Sequence, residues 1–366
     1  MASTARSSSG RGRLGLAVAA ALALAALTTG TASAALPPAD GGVAATTRPA
    51  TTGTAAGAAS TANPAGTAGR GGIRSGGPVP GFVLERGRFK PVAIPRGLED
   101  PAPQGIAPID INDRRQIVGS YADPAGVERG FLLDRGQFAR IDVPRAKGTQ
   151  AQGINDRGQI AGVYSDTSNP SVTGAQLRGF LLDRGRYVRL DVPGAVSSQA
   201  FDVNDHGQVV GEYQDAGGAF HGYVWQRGRF RTLPTGAATG INNRGQITGV
   251  TGPLDAPVGF VLDRGRLTTF KVPGAQVTVP YGINDHGQVV GLSAGGLTAT
   301  TGSGFLRDAS GRLTAINRPG ATVTVAFDVN NRGQIVGVAF NPEDLASPQP
   351  TGTPPMDMPA SLPLAR

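Results

Sequence analysis

Apolar and polar side chains alternate over short stretches of this chain. In Tyr187-Val188-Arg189-Leu190-Asp191-Val192 every second residue is apolar, the period of a half-buried β-strand. The module around it, residues 151–193, predicts four strands in a row: Gln152 to Asn155, Gln159 to Tyr164, Gly179 to Asp183 and Arg186 to Val192. No window sustains a 3.6-residue period, so almost no helix is expected. Asp156-Arg157-Gly158 joins the first two strands and Asp183-Arg184-Gly185 the last two. Asp opens such a turn by accepting nearby backbone N–H groups, and Gly takes the φ > 0 position of a three-residue hairpin with a G1-type bulge. One copy departs: Arg115 stands where the other five have Gly. A left-handed Arg costs on the order of 1 kcal/mol, so that turn is expected to differ.

The pattern repeats. Gly153-Ile154-Asn155-Asp156-Arg157-Gly158-Gln159-Ile160-Ala161-Gly162 has five further copies, centred on Asn112, Asn204, Asn242, Asn284 and Asn330, at spacings of 43, 49, 38, 42 and 46 residues. A second motif, Gly130-Phe131-Leu132-Leu133-Asp134-Arg135-Gly136, alternates with it and also starts at Gly81, Gly179, Gly222, Gly259 and Gly304. Periods of this size belong to solenoids, propellers or arrays. The connector after each fourth strand starts with proline (Pro95, Pro144, Pro193, Pro234, Pro273, Pro319). Proline is confined to sheet edges and strand ends, which makes the fourth strand outermost. Five units are complete: 105–144, 151–193, 200–234, 239–273 and 281–319. Residues 81–95 supply a third and fourth strand only, and 326–340 a first and second only. The two leftovers complete a sixth unit. The expected fold is all-β, a six-bladed β-propeller of four-stranded antiparallel blades, closed by pairing of N- and C-terminal strands. Closure would remove exposed sheet edges; the rival, an open solenoid, would need capping repeats instead.

The pattern Gly-Phe-x-x-Asp-x-Gly, then Asp191-Val192-Pro193-Gly194-Ala195, then Gly282-Ile283-Asn284-Asp285, resembles the HAF-type repeat of bacterial exported proteins. The resemblance covers 81–341. It implies an extracellular, propeller-like repeat protein and supplies no catalytic residues. The His-Gly-Phe start of that family survives here only as His221-Gly222-Tyr223.

The ends of the chain read differently. Residues 1–34 have the form of a secretory signal peptide: Arg6, Arg11 and Arg13, then apolar Leu14 to Leu27, then Ala32-Ser33-Ala34 as cleavage site. The apolar run is shorter than the roughly 20 residues of a spanning helix, and no membrane span is expected after cleavage. Residues 35–80 are rich in Ala, Thr, Gly and Pro and predict a disordered spacer; 342–366 predict a disordered Pro-rich tail. The chain of 366 residues has no cysteine, which excludes disulfides and thiol chemistry. Its excess of eight basic charges is mostly arginine.

Chemistry is harder to place. Rings of turns carry Arg86, Arg135, Arg184, Arg227 and Arg264, and Arg114, Arg157, Arg244 and Arg332 with His206 and His286 at the same position. Most adjoin an Asp, so the local charge nearly cancels and the Asp reads first as a turn former. The loops at the other ends of the strands vary in length, and loops on a rigid scaffold are where binding concentrates. Their ionisable members, Asp123, Glu128, Asp166, Asp215, His221 and Asp255, are the candidate binding residues. Trp225 reads as core. The expected function is a secreted binding or scaffold module at or outside the cell surface, a monomer whose partner is an extracellular polysaccharide, wall polymer or protein rather than nucleic acid. No cofactor is called for; calcium is the ion the loop carboxylates would take. The alternative is a carbohydrate- or lactone-active hydrolase or lyase with a cation in the propeller channel. It would need one-off carboxylates at the inner ends of the blades, and none stands out from the repeats.

Overall fold

The computed structural model describes residues 81–92 and 106–341, apart from 124, 126, 166–175, 254 and 297–298. The signal peptide, spacer and tail, with Asp166, lie outside the described residues. Within them there is no helix, and so none long and apolar enough to cross a membrane.

Among the described residues twenty-four strands form. Four sheets each contain four consecutive antiparallel strands. The first comprises Ile106–Ile111, Ile117–Ala122, Glu128–Asp134 and Gln137–Ile141. The second comprises Gly148–Ile154, Ile160–Ser165, Leu177–Asp183 and Arg186–Leu190. The third runs from Ser197 to Thr232 and the fourth from Ala238 to Phe270 in the same order. The remaining eight strands share one sheet. In it, an antiparallel run from Val277 to Ile316 meets a second antiparallel run through one parallel pair, Gly302 with Val323. The second run is built from both ends of the repeat region. Val323–Val329 pairs Ile335–Phe340, which pairs Gly81–Glu85, which pairs Arg88–Pro91. Gly81 lies opposite Val338 and Leu84 opposite Ile335.

Burial falls from the first strand to the fourth. Ile106–Ile111 is buried along its whole length, whereas Gln137–Ile141 is mostly exposed and pairs only with the third strand. The anchor of each unit is the aromatic residue of the Gly-Phe motif: Phe82, Phe131, Phe180, Tyr223, Phe260 and Phe305 are at most 1% exposed. Each stands opposite a second-strand glycine, as Phe180 does Gly162. Apolar clusters run between sheets rather than within them. Val118, Ile141, Ala151, Ile160 and Phe180 join the first and second sheets. Ala107 and Ile109 pack on Val323, Val325 and Phe327, joining the first sheet to the chain's C-terminal strands. Trp225 is half-buried against the cluster of Leu181, Leu190 and Val209.

Three details differ from the sequence reading. First strands begin upstream of the expected start, at Gly148 rather than Gln152, because a bulge between Ala151 and Gly153 lets pairing continue past the break in alternation. The Asp-Arg-Gly tripeptide forms two different turns. After Asn155 it is the expected three-residue loop: Gly158 N donates to Asn155 O (3.1 Å), Asn155 N to Gln159 O (3.1 Å), and Gly158 has φ +77°. Between third and fourth strands it is a two-residue turn in which Arg184 (φ 49°) and Gly185 (φ 76°) are both left-handed and Asp183 pairs directly with Arg186. That is the type I′ geometry favoured by the twist of a hairpin. Finally, the turn at Arg115 is not altered: Arg115 adopts φ 66° and its N–H reaches Asn112 O (3.0 Å) as Gly does elsewhere.

Candidate functional site at the hydrogen-bonded hub

The six motif asparagines are buried, at most 5% exposed, at the inner ends of the first strands. Each closes its own turn: Asn155 Oδ1 accepts from the N–H groups of Arg157 (3.0 Å) and Gln159 (2.9 Å), and Nδ2 donates to Gln159 Oε1 (2.7 Å). The second Nδ2 hydrogen crosses to the next unit. Asn112 donates to Asn155 O, Asn155 to Asn204 O, Asn204 to Asn242 O, Asn242 to Asn284 O and Asn284 to Asn330 O. Asn330 then donates to Asn112 O at 3.1 Å, across 218 residues of sequence, and the cycle is complete.

A second cycle lies beside it. Asp113 N–H donates to Asp156 Oδ1, Asp156 to Asp205, Asp205 to Asn243 Oδ1, Asn243 to Asp285, Asp285 to Asn331 Oδ1 and Asn331 to Asp113. The amides of Asn243 and Asn331 bridge carboxylates on both sides: Asn243 Nδ2 reaches Asp205 (2.9 Å) and Asp285 (3.1 Å), and Asn331 Nδ2 reaches Asp113 and Asp285 (3.0 Å each). Acid and amide thus alternate around half the ring. Asp156 occupies the third amide place but carries a carboxyl, flanked by Asp113 and Asp205. Burial, then those two neighbouring charges, raise its pKa above the ordinary carboxylate value. An acid that holds its proton more tightly when folded stabilises most below its unfolded pKa, near 4, and loses that stability as pH rises through the folded value. Asp156→Asn supplies the missing amide. It is expected to raise stability at pH 7 by about 1 kcal/mol and to change little near pH 3, where the wild-type carboxyl is protonated. Urea unfolding at the two pH values checks this; a less stable variant at pH 7 would contradict it.

The cycles enclose a polar well of about 70 Å³, lined from all six units. Three further carboxyls reach it: Asp110, Asp202 and Asp328. They stand at the inner ends of first strands and break the repeat pattern in three of its six copies, where the sequence reading found no such break. Two residues before the motif Asn, the six copies read Asp110, Gly153, Asp202, Gly240, Gly282, Asp328. Asp110 accepts from its neighbour Ile111 N–H and from Ile154 N–H (2.6 Å) in the next unit; Asp202 accepts from Val203 N–H (2.6 Å) and Ile241 N–H (2.7 Å). Asp328 accepts from Ile111 N–H at 3.5 Å. Asp110 and Asp202 thus tie the inner end of their own first strand to that of the next unit. Burial raises all three pKa values; Asp202 is pushed up to about 8. The neighbouring charge of Asp328 pushes the Asp110 pKa up further. Among the described residues no group of three His, Asp or Glu is arranged to hold a metal ion.

The described loop-side candidates sit at the other ends of the strands, Asp123 and Glu128 on the first sheet, Asp215 and His221 on the third and Asp255 on the fourth. Asp123 accepts from Ala125 and Val127 N–H and pairs with Arg129 at 2.9 Å. Those backbone and Arg129 hydrogen bonds outweigh partial burial and hold its pKa down. Glu128 is buried. Asp215 bonds His221 Nε2 (2.8 Å), which lowers its pKa, and the His221 ring stacks on Tyr213 with centroids 5.0 Å apart. Asp255 is exposed, and its carbonyl accepts from Gln276.

No protein-family model matches the chain, and no curated protein matches it. Solved structures do. A putative TolB from Agrobacterium tumefaciens has TM-score 0.52 at 12% identity, over 72% of this chain and 99% of that one. TolB from Acinetobacter baumannii has TM-score 0.44 at 13% identity, over 65% of this chain and 55% of its own length. The β-propeller domain of the Trilobed protease from Pyrococcus furiosus has TM-score 0.43 at 13% identity, over 69% and 79%. At such identities the likeness is one of fold: the chain is an all-β protein of the β-propeller kind.

Proposed function

We propose that the chain is a six-bladed β-propeller of the HAF repeat type, exported by its N-terminal signal and closed by its own two ends. It serves as a binding or scaffold module at or outside the cell surface. The observation that carries this reading is the asparagine cycle, whose last bond, Asn330 to Asn112, ties the last unit back to the first. The pairing of Gly81–Glu85 with Ile335–Phe340 supports the same closure. The carboxyls and amides of the hub are committed to backbone N–H groups and to one another, so the hub is framework. Recognition then falls to the loops, which a rigid scaffold holds in fixed relation.

Asp215 and His221 are joined there by a 2.8 Å bond, with the His221 ring stacked on Tyr213; Asp255 lies on the following unit, and Asp123 and the buried Glu128 lie on the first. The ligand class is an extracellular polysaccharide, a wall polymer or a surface protein. The test is co-sedimentation of the chain from Ala35 with insoluble wall and polysaccharide fractions. Retention is expected, weakened about tenfold in an Asp215→Ala/His221→Ala variant, the usual cost of truncating a well-placed contact. Retention that is unchanged in this variant and in Asp123→Ala would remove the loop assignment. No retention on any fraction would remove the binding role.

A further inference from the structure

The turns at the hub end carry the arginines, and the geometry separates them from the acids that adjoin them in sequence. The turn segments on this face hold sixteen arginines and nine carboxylates, whereas the rest of 81–341 has eleven basic and thirteen acidic residues. The basic excess of the folded region therefore lies on one face. Four of its nine carboxylates, Asp113, Asp156, Asp205 and Asp285, turn inward and accept the hydrogen bonds of the second cycle. Three more are held from the hub side by glutamine amides: Gln116 on Asp134 (3.1 Å), Gln246 on Asp263 (3.3 Å) and Gln334 on Glu85 (2.9 Å). The arginines point the other way. Arg135, Arg184 and Arg264 are 91%, 94% and 90% exposed; the first two pair only loosely with the preceding Asp, at 3.9 and 4.0 Å, and Arg264 Nε donates to Asp263 at 3.3 Å on the surface. Pairs so exposed contribute little, so the guanidinium groups are free to engage a partner.

Backbone strain points in the same direction. Arg86, Arg135, Arg184, Arg227 and Arg264 all adopt φ between 47° and 50°. A side chain other than Asn or Gly is disfavoured there by about 1 kcal/mol, and the first central place of a type I′ turn ordinarily takes Asn, Asp or Gly. Five of the six units nevertheless put Arg at that place. Strain retained at repeated positions on an exposed rim is a mark of function.

We propose that this rim of arginines is a binding surface for a linear acidic polysaccharide, lying across the hub face opposite the loops. The guanidinium fork matches carboxylate and sulfate geometry in two-point contacts, and a ring of blades offers such forks at repeated intervals. The turn segments contain no Phe, Tyr or Trp, so the face lacks the platforms on which single-stranded bases stack. This separates a polysaccharide from a nucleic acid.

The test compares the full chain from Ala35 with two triple variants. Arg135→Asn/Arg184→Asn/Arg264→Asn removes three rim charges and puts the residue favoured by the turn in each place. Arg231→Asn/Lys271→Asn/Arg318→Asn removes the same charge away from these turns. Alginate is the probe, titrated at low and at 150 mM salt, with a single-stranded DNA 20-mer as comparison. The wild type is expected to bind alginate with an affinity that falls steeply with salt. The rim variant should lose tenfold or more while its thermal midpoint is held or raised; the control variant should bind as wild type. Equal losses in both variants, no binding to alginate at low salt, or tighter binding of DNA than of alginate would each overturn the proposal. The loop variants described above leave this face intact, so the two binding readings fail separately.

Discussion

Asn155→Ala is expected to cost about 3–5 kcal/mol, among the largest losses any polar substitution in this chain can cause. The side chain makes four hydrogen bonds, one of them buried and three partly buried. Loss of Oδ1 strands the N–H groups of Arg157 and Gln159; loss of Nδ2 strands Asn204 O and Gln159 Oε1. Leaving a buried donor or acceptor unmade costs about 1–3 kcal/mol each, and the turn itself opens. Asn155→Asp is the sharper probe. It keeps Oδ1 as acceptor but turns the donor into a second acceptor facing two oxygens. The new carboxyl would have a folded pKa above its unfolded value. Its stability is therefore greatest below about pH 4, where the protonated oxygen can donate, and is lost as pH rises. The aspartate variant should approach wild type in acid and the alanine variant at neutral pH, as read by urea midpoints at pH 4 and 7. An alanine variant within 1 kcal/mol of wild type, or an aspartate variant with no pH dependence beyond that of wild type, would show that the cycle is not what holds the repeats together. Repeating the change at Asn330 tests the bond that ties the last repeat to the first.

What was legible in the sequence was whatever the chain writes locally. The Gly-Phe and Asn-Asp-x-Gly motifs, the period-2 strands and the prolines after fourth strands each depend on a few adjacent residues, and they place the four strands of each described unit in the right order, though not the upstream starts of the first strands. The two Asp-Arg-Gly turns were not separable by tripeptide. What separates them is the residue before: Asn155 captures the N–H groups of Arg157 and Gln159 and leaves Arg157 with negative φ, whereas Leu182 captures nothing and the turn tightens onto two left-handed residues. Asp110, Asp202 and Asp328 were visible only by lining up the six copies column by column. Their role was not visible at all, because Asp110 serves an N–H 44 residues away and Asp202 one 39 residues away. The same column explains its glycines. A methyl on Gly153 would sit 2.6 Å from Asp202 Cα, and one on Gly282 2.8 Å from Asp328 Cα. Small residues stand where the neighbour's acid-bearing strand comes close. The rim of arginines was legible as a list of residues. Its separation from the paired acids was not, since that depends on glutamines from a different hairpin.

Gly162→Ala is expected to be among the most disruptive single-methyl changes in the core, at about 3 kcal/mol or more. The built methyl would overlap Gln150 O on the first strand and lie 2.6 Å from Phe180 Cζ on the third. The second-strand glycine is therefore caught between a bulged backbone below and the anchoring aromatic ring above. Neither can yield cheaply. Gln150 belongs to a buried first strand that packs on the hub, and the Phe180 ring is fully enclosed. The other copies repeat the arrangement, with Gly119 under Phe131, Gly291 under Phe305 and Gly337 under Phe82. Gly158→Ala is the comparison. Its built methyl meets nothing within 4 Å, and only its φ of +77° opposes the change, so it should cost about 1 kcal/mol. Thermal and urea midpoints of the two variants measure the difference between steric exclusion and backbone preference. If Gly162→Ala proves too unstable to purify, trimming the facing ring in Gly162→Ala/Phe180→Leu should recover a folded protein that remains weaker than Phe180→Leu alone. A Gly162→Ala protein no less stable than Gly158→Ala would mean that strand and ring can move apart, and that the aromatic anchor does not fix the spacing of the sheet.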